Sequence, residues 1–174
     1  MKPRRYSYVG PDDIKQRAKR ESHCIHVTGV FDIIHWTTGF LPRGQTSGGV
    51  PATFIIDTDG QLWIADRRSE HVACADGQDV LAAGEILFER VGNRVRVSEA
   101  SNQSTGYCPE PACWTMLAKV LADLSIPHPL SFTPAFEFRR CDQCGATNLI
   151  KEEVFECAIC SSPLCRDWNY PTGT

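Results

Sequence analysis

Two cysteine turns near the C-terminus constrain this chain most: Cys141-Asp142-Gln143-Cys144 and, after twelve intervening residues, Cys157-Ala158-Ile159-Cys160. Each Cys-x-x-Cys turn presents two thiolates from one tight knuckle. Two knuckles at this separation supply the four soft tetrahedral ligands that Zn²⁺ prefers. The spacing predicts a zinc ribbon over residues 136–168, with Cys141, Cys144, Cys157 and Cys160 as ligands. Four protein ligands leave no position for water, so the expected zinc is structural. Asn148–Lys151 and Glu153–Glu156 are predicted as the strands joining the knuckles, with Phe138, Leu149, Ile150 and Phe155 as apolar contacts. So small a hairpin needs the metal's binding energy to fold. Cys165 lies outside the spacing and is not expected to ligate.

The other cysteines (Cys24, Cys74, Cys108, Cys113 and Cys165) are scattered, and the total of nine is odd. An odd count with a metal-type pattern suits a reducing compartment. No apolar run approaches the ~18 residues of a membrane span, and no apolar signal segment follows the basic start. The expectation is a cytoplasmic protein without a membrane partner. Net charge is −3, unevenly placed: residues 1–20 carry +5, leaving −8 for the remainder. The basic arm (Lys2, Arg4, Arg5, Lys15, Arg17, Lys19, Arg20) reads as a solvated helix face, with nucleic-acid contact as the alternative. The ribbon disfavours nucleic acid. Residues 137–168 hold six carboxylates against four basic side chains, and a phosphate backbone would be repelled. A protein partner or macromolecular substrate is the better expectation.

Pro11, Asp12 and Asp13 start a helix over residues 11–20. Ile25–Val27 reads as a strand, Val30–Trp36 as a buried helix, and residues 42–51 as a glycine- and proline-rich loop. Two hairpins follow. One runs Thr53–Asp57, turns at Thr58-Asp59-Gly60 and returns through Gln61–Ala65. The other runs Val80–Arg90, turns at Gly92-Asn93 and returns through Arg94–Glu99, with Val95 and Val97 on one face and Arg94 and Arg96 on the other. Trp114, Leu117, Ala118, Leu121 and Leu124 form an amphipathic stripe on a helix from Glu110 to Leu124. The prediction is an α+β fold: a mixed, largely antiparallel sheet with about three helices, plus the C-terminal zinc ribbon. The domains are 1–126, a proline-rich linker 127–135, the ribbon 136–168 and a tail 169–174.

Three polar patches adjoin element ends, where sites concentrate: Asp66-Arg67-Arg68-Ser69-Glu70-His71, Ala82-Ala83-Gly84-Glu85, and Ser101 through Pro109. The candidate catalytic residues are His71, Glu85 and Tyr107. The candidate binding residues are Arg67, Glu70, Asn102, Ser104 and Cys108. A helix dipole would lower the Cys108 thiol, and His71 could act as its base. His71 or His26 with Glu85 is a second arrangement. A zinc deaminase fails on spacing: Val72-Ala73 follows His71, and four residues separate Cys108 from Cys113.

Residues 62–126 resemble a domain of bacterial polymorphic-toxin C-termini that also occurs in plant calmodulin-binding proteins of the IQ-motif type. The matching residues are Glu70-His71-Val72, Gly77, Ala82-Ala83-Gly84-Glu85, and Ser104-Thr105-Gly106-Tyr107-Cys108-Pro109 opening a helix. Val72-Ala73 stands where that family has Ser-Ser, and Gly106 where it has His. The calmodulin-binding helix has no counterpart. The whole chain is similar to uncharacterised bacterial proteins with the same ribbon tail. His26-Val27-Thr28 with the following helix and Gly39 resembles the start of ADP-ribosyltransferase toxins. The resemblance implies a bacterial, toxin-like domain that binds or modifies a macromolecule, with a role in conflict or defence. A non-enzymatic interaction adaptor, an ADP-ribosyltransferase-like His/Glu transferase and a Cys/His hydrolase are the alternatives.

Overall fold

The computed structural model describes residues 3–19 and 24–172; Lys2 and Arg20 of the basic arm lie outside them. The fold is α+β, with antiparallel sheets. Five strands form the main sheet: β1 (Ile25–Val27), β2 (Ser47–Asp57), β3 (Leu62–Asp66), β4 (Val80–Val91) and β5 (Arg94–Ser101). Their order is β1-β3-β2-β4-β5. Both predicted hairpins are present, β2–β3 and β4–β5. Residues 47–51 differ from the expected loop. They pair with Val91 through Leu87, so the long partner β4 overrides their glycine and proline content.

Strand alternation builds the core. Val50, Ala52, Phe54, Ile56, Ile64, Ile86, Phe88, Val95 and Val97 are buried. Helix α2 (Val30–Thr38) contacts both edge strands, β1 and β5, and buries Ile33, Trp36 and Thr37. Its first turn is tied by Asp32, whose carboxylate accepts from Thr28 N at 2.7 Å and Gly29 N at 3.1 Å. At its last turn the buried Arg90 donates to Ile34 O at 2.8 Å and Thr38 Oγ1 at 2.7 Å. A cation there also suits the helix dipole. Helix α1 (Asp12–Arg17) buries none of its residues, as a solvated helix face should. The predicted helix at 110–124 is a 3₁₀ turn, Pro111–Cys113, followed by α4 (Trp114–Asp123), which packs on β4. A four-residue helix, α3 (His71–Cys74), was not expected; it packs on β2 and β3.

The proline-rich segment after α4 lies along the outer edge of β5. Val97 N donates to Pro127 O at 2.8 Å and Thr133 N to Ala100 O at 2.6 Å. Covering the edge blocks strand addition. The ribbon's sheet pairs β6 (Glu137–Arg140) with β7 (Thr147–Ile150), so the first knuckle sits in a hairpin loop. Glu153–Glu156 is not a strand. Glu152 and Glu153 both have positive φ, which turns the chain, and only Glu156 forms a bridge, to Pro163, around the second knuckle. The ribbon is joined to the body by Asn102, whose amide donates to Pro109 O and Phe136 O and accepts from Phe136 N, each at 2.7 Å. Residues 169–172, expected as tail, complete this seam: Tyr170 is buried and Thr172 bridges Tyr6. Beside them, Trp168 Nε1 donates to Cys108 O at 2.7 Å.

Candidate functional site

The four cysteine sulfurs of the knuckles lie within 4.8 Å of one another. Cys141 and Cys160 are 3.6 Å apart, as are Cys144 and Cys157, far beyond a disulfide bond. Sulfurs at ~2.3 Å from a tetrahedral metal stand roughly 3.8 Å apart, so this cluster could hold a metal ion. Its surroundings favour thiolates at the second knuckle, whereas Cys144 of the first is raised to about 12, the Ala146 N–H lowering it but burial and the Cys160, Cys157 and Cys141 sulfurs outweighing that. The N–H groups of Cys160 and Ile159 lower the Cys157 thiol to about 6. Ser162, through its hydroxyl and its N–H, lowers Cys160. Asn148 Nδ2 lies 3.6 Å from Cys157 Sγ, and its Oδ1 accepts from Ala158 N at 2.9 Å. Asn148 thereby ties β7 to the second knuckle. Cys165 is exposed and outside the group of four.

Of the three residues expected to be catalytic, His71 and Tyr107 are bonded to backbone carbonyls. His71 Nε2 is 2.9 Å from Gly84 O. A carbonyl only accepts, so Nε2 carries the proton and is committed to that bond. Burial lowers the ring's pKa, with the Gly84 bond opposing more weakly. Tyr107 is fully buried and donates to Gln78 O at 2.6 Å, and burial raises its pKa. The Cys108 thiol is raised to about 11 by burial, with Tyr170 and Thr147 opposing. That reverses the lowering expected from a helix start. Cys108 packs with Phe138 and Tyr170 in the seam, where desolvation outweighs any dipole. Ser104 is buried. Asn102 is the staple already described. Among the described residues, no hydrogen bond joins His71 to Glu85 or Cys108.

Close packing accounts for two of the motifs. A Cβ on Gly84 would fall 1.8 Å from Ser101 O, so only glycine lets the end of β5 cross β4 there. Ala82 and Ala83 beside it are fully buried. A Cβ on Gly106 would lie 2.7 Å from the Tyr8 ring, which packs edge-on against Tyr107 at 5.7 Å. Gly106 thus lies under the ring of Tyr8 from the N-terminal segment.

Two of the expected residues do share a site. Arg67 and Glu85 line a groove of about 340 Å³ on the sheet face opposite the Phe54 and Phe88 side chains. Strand register explains its lining. Pro51, Leu87 and Glu99 form one cross-strand row; Thr53, Glu85 and Ser101 form the next. Thr133 and Pro134 wall the β5 side. Thr53 Oγ1 bonds to Arg67 O and Ser69 O and anchors the turn that carries Arg67. Glu70 lies apart, in a second cleft with Cys24, Phe40, Asp66, Arg68, Ser69 and Ala73. The sequence reading missed Pro51, Leu87, Glu99, Gln103 and Thr133. Alternation along β4 carried a signal for Leu87, an apolar residue out of phase with Ile86 and Phe88. Among the described residues, no helix is long and apolar enough to cross a membrane. Compared with known proteins, the chain matches no family model, no curated protein and no solved structure.

Proposed function

We propose that this chain is a zinc-stabilised protein-binding module whose contact site is the open groove at Arg67, Glu85, Leu87 and Glu99. One observation carries the reading. The residues suited to catalysis (His71, Tyr107) are bonded to backbone carbonyls, and Cys108 is sealed in the ribbon seam, whereas the polar ends that stay accessible line a groove with an apolar floor. With Nε2 held by Gly84 O, His71 has only Nδ1 left as a base, and the Tyr107 hydroxyl proton is already given to Gln78 O. A binding module needs nothing to move. The likeness to polymorphic-toxin domains is then one of scaffold, and the role in bacterial conflict is partner recognition inside the cell. Zinc is the metal that a closed four-thiolate set favours, and Cys141, Cys144, Cys157 and Cys160 would hold it.

The binding reading is tested by displaying random peptides against the full zinc-loaded chain, with Leu87→Lys as counter-selection. Enriched peptides that lose binding to Leu87→Lys are the expected result. No enrichment, or enrichment indifferent to Leu87→Lys, would overturn it. Elemental analysis of the purified chain tests the metal: one zinc per chain is expected, and a ratio near zero refutes the assignment.

A further inference from the structure

The groove's outer face carries three glutamates on neighbouring positions, and they are not treated alike. Glu89 is taken by Arg96 across the β4–β5 ladder. Glu99, one row further along, and Glu85, in the row after that, are in none of the ion pairs of the described residues, although Arg67 lines the same groove. The two sit diagonally across the ladder, since Glu99 pairs with Leu87 and Ser101 with Glu85. Diagonal neighbours of this kind are about 7–8 Å apart. Glutamate side chains on positions that close can both reach one cationic head. A register shift at Leu87/Phe88 bends β5 just beside Glu99. Beside the carboxylates runs an apolar strip, Leu87 and then Pro51, in the same cross-strand row as Glu99.

We propose that the groove selects an extended peptide segment bearing a lysine or arginine. This rests on the protein-binding reading above and adds the class of partner. The long aliphatic stem of such a residue lies over Leu87 and Pro51, and its charged head reaches Glu85 and Glu99. Lysine and arginine divide between apolar and charged surroundings in this way. An acidic or purely apolar segment would leave both carboxylates uncompensated. Arg67, on the opposite wall, meets the segment's carbonyls or an acidic neighbour and fixes its direction. Beyond the first twenty residues the chain carries −8, which steers cationic partners toward it.

The test uses fluorescence anisotropy on the full zinc-loaded chain. Its probes are a short labelled peptide of alternating threonine and lysine and the same peptide with glutamine for every lysine. The lysine peptide should bind at least about tenfold more tightly than the glutamine peptide, and Glu85→Gln/Glu99→Gln should remove that preference. Glu152→Gln/Glu153→Gln changes net charge equally but lies on the ribbon, and it should leave binding intact. The inference is overturned if neither peptide binds, if both bind equally, if the groove double variant keeps the preference, or if the ribbon variant loses it to the same extent. Melting curves of the two double variants check that both fold. Should display still select peptides sensitive to Leu87→Lys while the lysine preference is absent, the binding reading stands and only the basic class falls.

Discussion

The five-stranded body fully buries Phe54, Phe88, Ile64, Leu117 and Leu121, whereas the buried cluster of the ribbon is Cys141, Cys157 and Leu164, with Ala146, Ile150 and Phe155 half-covered around them. Area alone explains the body. A single buried leucine or phenylalanine side chain is worth ~1.5–3 kcal/mol, and the body has dozens of buried contacts of that sort. The ribbon has too few to offset the entropy of ordering its backbone, at ~1–2 kcal/mol per residue. Of its other side chains, Asn148 ties to the second knuckle and Arg139 to Arg166 O, while Leu149, Val154 and Ile159 stay exposed. The body is held by excluded water, whereas the ribbon has in place of such a core a four-cysteine cluster that could hold a metal ion. They meet at a seam where Asn102, Trp168 and Tyr170 serve both.

Removing the metal should break the comparison most sharply. Cys157→Ser, or a strong chelator, withdraws metal-linked folding energy on the order of 10 kcal/mol from the ribbon. Zinc content should fall toward zero. Hydrogen exchange at β6 and β7 should become fast while β2 and β4 stay protected. A ribbon that kept its protection without metal would refute the metal-core view. The converse test strikes the body. Gly84→Ala sets a methyl against Ser101 backbone that cannot step aside. It should cost at least the upper end of the ~1–3 kcal/mol overpacking range. Urea denaturation reads the loss, and zinc stoichiometry should not change. A Gly84→Ala chain as stable as the parent would show that the crossing has slack.

Asn102→Ala probes the seam itself. It leaves the Pro109 and Phe136 carbonyls and the Phe136 N–H without their partner, at ~1–3 kcal/mol for a buried group so orphaned. Calorimetry should then resolve two transitions in place of one. A single unaltered transition would mean that the aromatic contacts suffice to couple the halves.

Legibility in the sequence followed the range of the interactions. The four-cysteine cluster, both hairpins and helices α2 and α4 could be read because knuckle spacing, two-residue alternation and helical periodicity are local patterns. Ser47–Pro51 could not, because only pairing with β4 makes a strand of a glycine-rich stretch. The site was half legible for the same reason. Arg67 and Glu85 stood out as polar residues beside strand ends. Nothing local marks Asn102 as a staple for residues 34 positions away, or Thr133 as a wall over β5. Nor does the local sequence show that the half-buried His71 and the buried Tyr107 hold the Gly84 and Gln78 carbonyls.

His71 offers the smallest effect and the cleanest way to separate the two halves by pH. Burial lowers its pKa below the ordinary value of about 6.5, so the native ring is neutral and the unfolded chain binds the proton more readily. Its contribution is therefore complete above about pH 6.5 and is lost as pH falls below it. The body's melting temperature should drop with pH in that window, by the equivalent of ~1 kcal/mol per unit. His71→Gln keeps an N–H for Gly84 O and should flatten the slope. The ribbon weakens in acid too, but through proton competition for thiolates, which shows as zinc release. His71→Gln should leave the pH of zinc release where it was. If that pH moved with the variant, the seam would be transmitting the body's protonation to the metal site. If the body's slope persisted in His71→Gln, its acid sensitivity would belong to another group, and the histidine at the centre of the toxin-like motif would carry neither chemistry nor pH dependence.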